Sequence, residues 1–261
     1  MLSLEGRGAR VDIDPEAGGR IAQLTIDGLD LLVGRQDAPD QWGCFPMAPF
    51  AGRIRRGRFT WRGEEHALPL NLPPHAIHGT TFDRPWEVVA ADEGTATLRI
   101  DLVDPWPFGG EVVQEVRLRN HSLHLRMEVR CGDEPMPATC GWHPWFRREL
   151  GRGGPLELDF EAGAMYLKDD EGIPTGAVGP PSDGPWDDCF NDMVRPPELR
   201  WPDALELAVD SHCPEWVIYT EPAHAICVEP QTGPPNALNL EPGIASPDDP
   251  VVATATLSWR K

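Results

Sequence analysis

Residues 225–236, AICVEPQTGPPN, end an apolar run at one carboxylate, Glu229, and then turn through three prolines and a glycine. Charged groups often end strands because they prefer water, so a solvated Glu229 is one interpretation. The other is that the fixed backbone presents this carboxylate to a ligand. Partial burial would raise its pKa towards neutrality, and Glu229 would then suit general-base catalysis.

Two histidines are candidates for the partner acid. His143 lies in GWHPWF, between bulky apolar residues that would fix its ring, and His78 lies before a glycine in NLPPHAIHG. A satisfied core histidine is the ordinary alternative for either residue. The spacing of His75 and His78 also invites a metal interpretation, but no third or fourth ligand follows in a zinc-like pattern. His121 and His124 alternate beside a hairpin turn, so we expect them on the surface.

Two further segments carry charge next to glycine or aromatic residues. AGRIRRGRF is basic in an acidic chain, and Arg53, between Gly52 and Ile54, is the arginine most expected to point inward. Phosphate binding and a solvated loop are the two interpretations of this cluster, and no phosphate-binding glycine fingerprint is present. GPWDDCF places Asp187 and Asp188 beside aromatics, where they could bind hydroxyl groups or be solvated. No G-x-S-x-G nucleophile motif occurs.

The elements that must position these residues are strands. The 29 prolines and 26 glycines are too many for long helices and suit short strands joined by turns. Apolar and polar residues alternate through residues 98–102 and 116–129, the latter with a hairpin turn at 120–122. The nearest approach to a helical period, 197–208, is interrupted by Pro202. The sequence therefore predicts an all-β fold, a large antiparallel β-sandwich. Further strands are predicted at 9–13, 21–26, 156–160, 215–220, 225–229 and 253–260.

Four long segments rich in Pro, Trp and Gly separate the predicted strands, at 36–58, 69–86, 132–155 and 161–197. Long irregular loops in a compact domain are usually functional, so we expect them to form an open cleft. Tryptophan near His and Asp suits a ligand with flat apolar faces and many hydroxyls, which describes carbohydrate. The alternative is that these residues fill the core beneath the loops. The tryptophans concerned are Trp42, Trp86, Trp106, Trp142, Trp145 and Trp186. The length, 261 residues, is compatible with a single domain, 1–261.

Composition limits the partners. A formal charge of −19 argues against nucleic acid, which requires a basic footprint, and against anionic membrane surfaces. No apolar run is long enough to predict a membrane span, and the first residues lack the apolar core of a secretory signal. Six dispersed cysteines without a C-x-x-C pair fit reduced thiols in the cytosol. We therefore expect a cytoplasmic protein with a small-molecule partner, either monomeric or homodimeric.

Taken in order, these segments resemble the aldose 1-epimerase (galactose mutarotase) family. AGRIRRGRF resembles its Asn-Arg-Ile…Gly-x-Phe segment, LNLPPHAIHG its His-Gly segment, and GWHPWF its Gly-x-His-Pro-Tyr-Phe segment. WDDCF is similar to the loop with the sugar-binding aspartate, and CVEPQTGPPNALN to the segment with the catalytic glutamate. The order and approximate spacing hold from about residue 10 to residue 258. Five such segments in the right order make the resemblance specific.

The resemblance implies a β-supersandwich with an open sugar-binding cleft and no metal or organic cofactor. By position, Glu229 would be the general base and His143 the general acid. His78 and Arg53 would hold the sugar, and Asp187 would bind its hydroxyls. Asp187 is preferred to Asp188 because the family's aspartate stands three positions before the loop aromatic, here Phe190.

The implied reaction is interconversion of the α and β anomers of a free aldohexose. The sequence departs from the family at Gly52, Thr80 and Trp145, where Asn, Gly and Tyr are usual, which leaves the sugar's identity open. Arg55, Arg56 and Arg58 keep a hexose-6-phosphate 1-epimerase as an alternative. A non-catalytic carbohydrate-binding module would need neither acid nor base. A glycoside hydrolase would use two carboxylates, for which Asp187 and Glu229 are formal candidates.

Overall fold

The computed structural model describes residues 1–260. This part of the chain contains 23 β-strands, three single-turn 3₁₀ helices and no α-helix, so the all-β prediction is confirmed. The 3₁₀ helices are Pro15–Ala17, Arg55–Gly57 and Ala237–Asn239. The strands are β1 (Leu2–Gly6), β2 (Ala9–Asp14), β3 (Arg20–Ile26), β4 (Leu29–Asp30), β5 (Cys44–Met47), β6 (Arg53–Ile54), β7 (Arg58–Trp61), β8 (Glu64–Ala67), β9 (Ala76–Ile77), β10 (Glu87–Ala91), β11 (Thr95–Asp101), β12 (Glu111–Arg119), β13 (Ser122–Arg130), β14 (Met136–Ala138), β15 (Gly141–Arg147), β16 (Glu157–Lys168), β17 (Pro174–Gly179), β18 (Asp187–Trp201), β19 (Leu205–Ser211), β20 (Glu215–Tyr219), β21 (Ala225–Gln231), β22 (Gly243–Ala245) and β23 (Val251–Arg260).

Seventeen of these strands join in one sheet, and three two-stranded sheets are added to it. A sheet of this size curls because each strand is twisted relative to its neighbour, and the curl lets the inner face pack against itself. Strand β12 shows the pattern: Val112, Gln114, Val116 and Leu118 are buried, while the alternate residues of the strand are partly or fully exposed. The hydrophobic core lies along this inner face.

The long segments predicted as irregular contain more strand than we expected. Segment 161–197 is largely the hairpin region of β16, β17 and β18, and β15 crosses segment 132–155. The prediction failed there because proline and glycine lie within or beside these strands, for example Pro196 and Pro197 in β18. Residues 197–208 also form strand: they end β18 and begin β19.

Most of the loop tryptophans belong to the core. Trp42, Trp86, Trp106 and Trp142 are buried, so the interpretation that they stack on a sugar is wrong for them. Trp145 is also buried, although it contacts the cavity described below. His121 and His124 are exposed, as expected.

All six cysteines are free, which agrees with the prediction of reduced thiols. Among residues 1–260, no helix has the length and apolar character to cross a membrane.

Candidate active site

Two rows of residues cross neighbouring strands of the large sheet and form the floor of the candidate site. In the first row, Phe45 of β5 lies opposite His143 of β15. Strand β15 pairs with β21 so that Gly141 faces Gln231 and Trp145 faces Cys227, which places His143 opposite Glu229. Across β20 and β18 the same row continues through Val217 and Cys189.

The second row lies two residues away along each strand and runs from Trp145 through Cys227 and Tyr219 to Asp187. Side chains two apart on a strand share one face. The sheet register therefore brings His143, Glu229 and Asp187 to the same face, although they are distant in sequence.

The central contact is between His143 Nε2 and Glu229 Oε1, which are 3.3 Å apart. Both side chains are almost completely buried. Burial lowers the pKa of His143 to about 3, and nearby Arg20 and Arg53 act in the same direction. Burial also raises the pKa of Glu229 well above its usual range, assisted by the charge of Asp187. Both shifts favour the state in which the pair holds one proton, on Glu229, because a buried ion pair would be costly to desolvate.

Aromatic packing fixes the orientation of the His143 ring. The ring stacks between Phe45 and Trp145, at centroid distances of 4.8 and 5.3 Å, and meets His78 edge-on at 5.0 Å. Within residues 1–260, Nδ1 of His143 has no hydrogen-bond partner. Ring stacking therefore helps to fix the position of Nε2.

His78 enters the site on a strained turn. Its φ is +60°, and Gly79 follows with φ +84°. A Cβ on Gly79 would lie 1.9 Å from the carbonyl oxygen of Ala48, so glycine is required here. Burial, with the neighbouring His143 and Arg53, lowers the pKa of His78 well below its usual value, so the ring is neutral at neutral pH.

Arg53 and Asp187 form an ion pair on the wall of the site, with 3.3 Å between Nη2 and Oδ2. Arg53 is the first residue of the short strand β6, and it pairs with Ile77 of β9. Asn236, which follows the turn after Glu229, donates its backbone N–H to the Arg53 carbonyl at 2.6 Å. The prolines after Glu229 thus lead the chain back to the Arg53 segment. Gly52 adopts φ +69°, and a Cβ there would lie 2.7 Å from Pro235.

All five residues predicted from the sequence line one cavity of about 250 Å³: Arg53, His78, His143, Asp187 and Glu229. This volume is slightly below the usual range for small-molecule sites, roughly 300–1,000 Å³. The cavity walls also include Trp145, Tyr219 and Lys168. Sequence reasoning missed Lys168. Its signal was its rarity, because the sequence has only two lysines, Lys168 and Lys261.

The two candidate aspartates have different partners. Asp187 pairs with Arg53, whereas Asp188 forms an ion pair with Lys168, with 2.7 Å between Nζ and Oδ1. Asp188 is also the less exposed side chain, at 12% against 32%. Asp187 is therefore the carboxylate better placed to exchange its protein partner for a ligand hydroxyl.

The remaining arginines of the basic cluster are paired with acids. Arg55 forms ion pairs with Asp169 and Glu171, and Arg56 with Glu171. Arg58 pairs with Glu65. The cations of the cavity, Arg53 and Lys168, are likewise each matched by an aspartate. The site therefore carries no surplus positive charge for a phosphate group.

One group of ligating atoms could hold a metal ion. The donor atoms of His143, Cys227 and Glu229 lie within 4.8 Å of one another, and all three residues are buried. Burial raises the pKa of the Cys227 thiol well above its usual value, and the thiol must lose its proton to bind a metal. A metal here would also occupy the Nε2 of His143 and the carboxylate of Glu229.

The family model for aldose 1-epimerase matches residues 2–194. The chain belongs to the aldose 1-epimerase family. The galactose mutarotase of Mus musculus is 32% identical over 138 residues, which are 50% of this chain and 40% of the mouse protein. The Escherichia coli protein YphB, which is uncharacterized, is 31% identical over 106 residues, 40% of this chain and 36% of YphB. These alignments thus span less than half the length of either relative.

Solved structures of the epimerase family share the fold over almost the whole chain. A galactose mutarotase-like protein from Clostridium acetobutylicum gives a TM-score of 0.87 at 17% identity, covering 99% of this chain and 94% of that protein. Galactose 1-epimerase from Lactobacillus acidophilus gives 0.81 at 20% identity, covering 99% and 93%. At these identities the likeness concerns the fold, and it agrees with the predicted antiparallel β-architecture.

Proposed function

We propose that this protein is an aldose 1-epimerase that interconverts the α and β anomers of a free, neutral aldohexose. The observation that carries the proposal is the buried His143–Glu229 pair, 3.3 Å apart, on the floor of a cavity with hydrogen-bonding walls. Membership of the aldose 1-epimerase family supports the same reaction class. Galactose is the sugar in the names of the mouse and Lactobacillus acidophilus relatives, and it is therefore one of the two sugars to test first.

Anomer exchange requires one proton to leave the C1 hydroxyl and one to reach the ring oxygen. In the resting site the shared proton is on Glu229. Sugar hydroxyls and Arg53 stabilise the carboxylate form, so that the proton passes to His143 when the sugar binds. Glu229 then takes the proton of the C1 hydroxyl, and His143 donates its proton to the ring oxygen.

The bond between C1 and the ring oxygen breaks as these protons move, and the sugar opens to the aldehyde. Rotation about the C1–C2 bond presents the other face of the carbonyl group. Ring closure then reverses the roles: the ring hydroxyl returns its proton to His143, and Glu229 protonates the new C1 hydroxyl. The His143–Glu229 pair ends the cycle with the single proton with which it began. His78, Arg53 and Asp187 would hold the sugar hydroxyls during the rotation.

The direct test is NMR exchange or polarimetry on glucose and galactose. Glu229→Gln and His143→Asn should each reduce the catalysed rate by about 10²–10⁴-fold, the usual contribution of a positioned proton transfer. Glu215→Gln is the matched control, because Glu215 is a buried carboxyl on the neighbouring strand β20 and does not line the cavity. The proposal is wrong if all variants exchange anomers at the wild-type rate. Sugar binding by the wild type without exchange would instead indicate a carbohydrate-binding module.

The phosphorylated alternative has less support. A hexose 6-phosphate would bring a dianion to a cavity whose two cations already face aspartates. Such a ligand would lack compensating charge and would face the carboxylates of Asp187 and Asp188.

A further inference from the structure

The turn between β16 and β17, residues 169–173, forms part of the cavity rim and is called the rim turn below. Gly172, inside it, and Pro174, directly after it, line the cavity. The side chain of Asp169 orders the turn by accepting the backbone N–H groups of Glu171 at 2.9 Å and Ile173 at 3.1 Å. The turn is thus internally ordered, and its position over the cavity depends on what holds it from outside.

Two groups of contacts hold the rim turn. Arg55 forms ion pairs with Asp169 and Glu171 in the turn. Lys168, the residue directly before the turn, donates a hydrogen bond from Nζ to the carbonyl oxygen of Asp187 at 2.8 Å and forms an ion pair with the carboxylate of Asp188 at 2.7 Å. Arg55 belongs to the same segment as Arg53, and Lys168 contacts the segment of Asp187. The rim turn is therefore connected to both members of the Arg53–Asp187 pair.

The geometry on the Arg55 side connects directly to Arg53. Arg55 follows Arg53 by two residues, and its backbone N–H donates to the side-chain oxygen of Asn236 at 3.2 Å. The backbone of Asn236 in turn binds the Arg53 carbonyl. The arginine cluster is therefore a structural link between the rim turn, the Arg53 segment and the turn after Glu229.

From this network we propose that Lys168 and Arg55 are positioning residues that hold Arg53 and Asp187 at the positions from which they bind the sugar. They keep the two segments at the spacing that gives the 3.3 Å contact between Arg53 and Asp187. Arg55 and Lys168 are each about one-third exposed, and ion pairs screened by solvent add little to stability, so we expect the larger consequence in sugar binding rather than in folding. This inference rests on the proposed function only in naming the ligand as a free aldose.

Loss of either link should move the sugar-binding pair without removing it. A misplacement of about 1 Å at a positioning group can lower a rate by up to about 10²-fold, so we expect an increase of about tenfold in KM. The rate at saturation should change less, because His143 and Glu229 are held by the sheet and by aromatic stacking.

The experiment compares Lys168→Met, Lys168→Arg, Arg55→Met and the control Arg195→Met in the full chain. Arg195 pairs with Asp159 at 2.6 Å and links the same two strands, β16 and β18, without lining the cavity. KM and kcat are measured by NMR anomer exchange, the dissociation constant of galactose by calorimetry, and stability by thermal unfolding. We expect KM and the dissociation constant to rise in Lys168→Met and Arg55→Met, to recover in part in Lys168→Arg, and to stay at the wild-type value in Arg195→Met.

The proposal is overturned if Lys168→Met binds galactose as tightly as Arg195→Met does, or if its loss appears in kcat alone. A wild type that binds galactose without exchanging its anomers would contradict the proposed function, while the dissociation constants would still test the positioning role. A wild type that binds neither glucose nor galactose would contradict both.

Discussion

His143 and Glu229 lie opposite each other on neighbouring antiparallel strands, with 3.3 Å between Nε2 and Oε1 and almost no exposure to solvent. Their pKa values are shifted in opposite directions, down for the imidazole and up for the carboxyl. The pair therefore stores one proton between two groups that can each donate or accept it. This property makes it suited to a reaction that removes one proton and returns another.

The first prediction concerns stability. Because the folded-state pKa of Glu229 is raised, folding carries no penalty from this group below its unfolded value of 4.5. The penalty grows as the pH rises above that value. Glu229→Gln should therefore stabilise the fold at pH 7 by about 0.5–2 kcal/mol, at the expense of activity. Thermal unfolding at pH 7 and pH 4 checks this, and the stabilisation should shrink at pH 4. A variant that is less stable than the wild type at both pH values would contradict it.

The second prediction is the pH dependence of kcat/KM. Activity should require the form of the pair that carries one proton. It should fall on the acid side when a second proton binds, far below the ordinary histidine value of 6.5, because the pKa of His143 is lowered to about 3. It should fall on the alkaline side when the last proton leaves, at a pH well above 4.5. The measurement is anomer exchange across the pH range, and an acid limb centred near pH 6.5 would contradict the one-proton pair.

The third prediction concerns phosphate. Because Arg55, Arg56 and Arg58 are all paired with acids, glucose 6-phosphate should be a poorer substrate than glucose. We expect its kcat/KM to be lower by about tenfold or more, a difference of about 1.4 kcal/mol. Parallel NMR exchange measurements on the two sugars decide the matter. A preference for the phosphorylated sugar would show that these arginines leave their acidic partners to bind it.

The fourth prediction concerns metals. Both proton transfers are assigned to side chains, so extensive dialysis against a chelator should leave the exchange rate unchanged. Added Zn²⁺ should reduce the rate, because a metal held by His143, Cys227 and Glu229 would occupy both proton-transfer groups. Cys227→Ser should weaken this inhibition, with Cys213→Ser, which alters a buried thiol outside this group, as its control. A rate lost on chelation and restored by metal would contradict the metal-free mechanism.

The sequence alone determined the fold class and the composition of the candidate site. Alternating strands predicted an all-β protein because the period of side-chain burial is a local property of the chain. Five short segments gave Arg53, His78, His143, Asp187 and Glu229, and the structure places all five around one cavity. Their roles as base, acid and sugar ligands remain predictions.

Only the tertiary structure decided how these residues act on one another. The raised pKa of Glu229 and the lowered pKa of His143 follow from burial between strands that are far apart in sequence. Segment 161–197 was misjudged because its strand pairing depends on distant partners that outweigh its prolines. The sequence also left phosphate binding open for the basic cluster, whereas the folded structure pairs Arg55 with Asp169 and Glu171. Electrostatic partners are set by distances in the folded chain, which no local pattern of residues specifies.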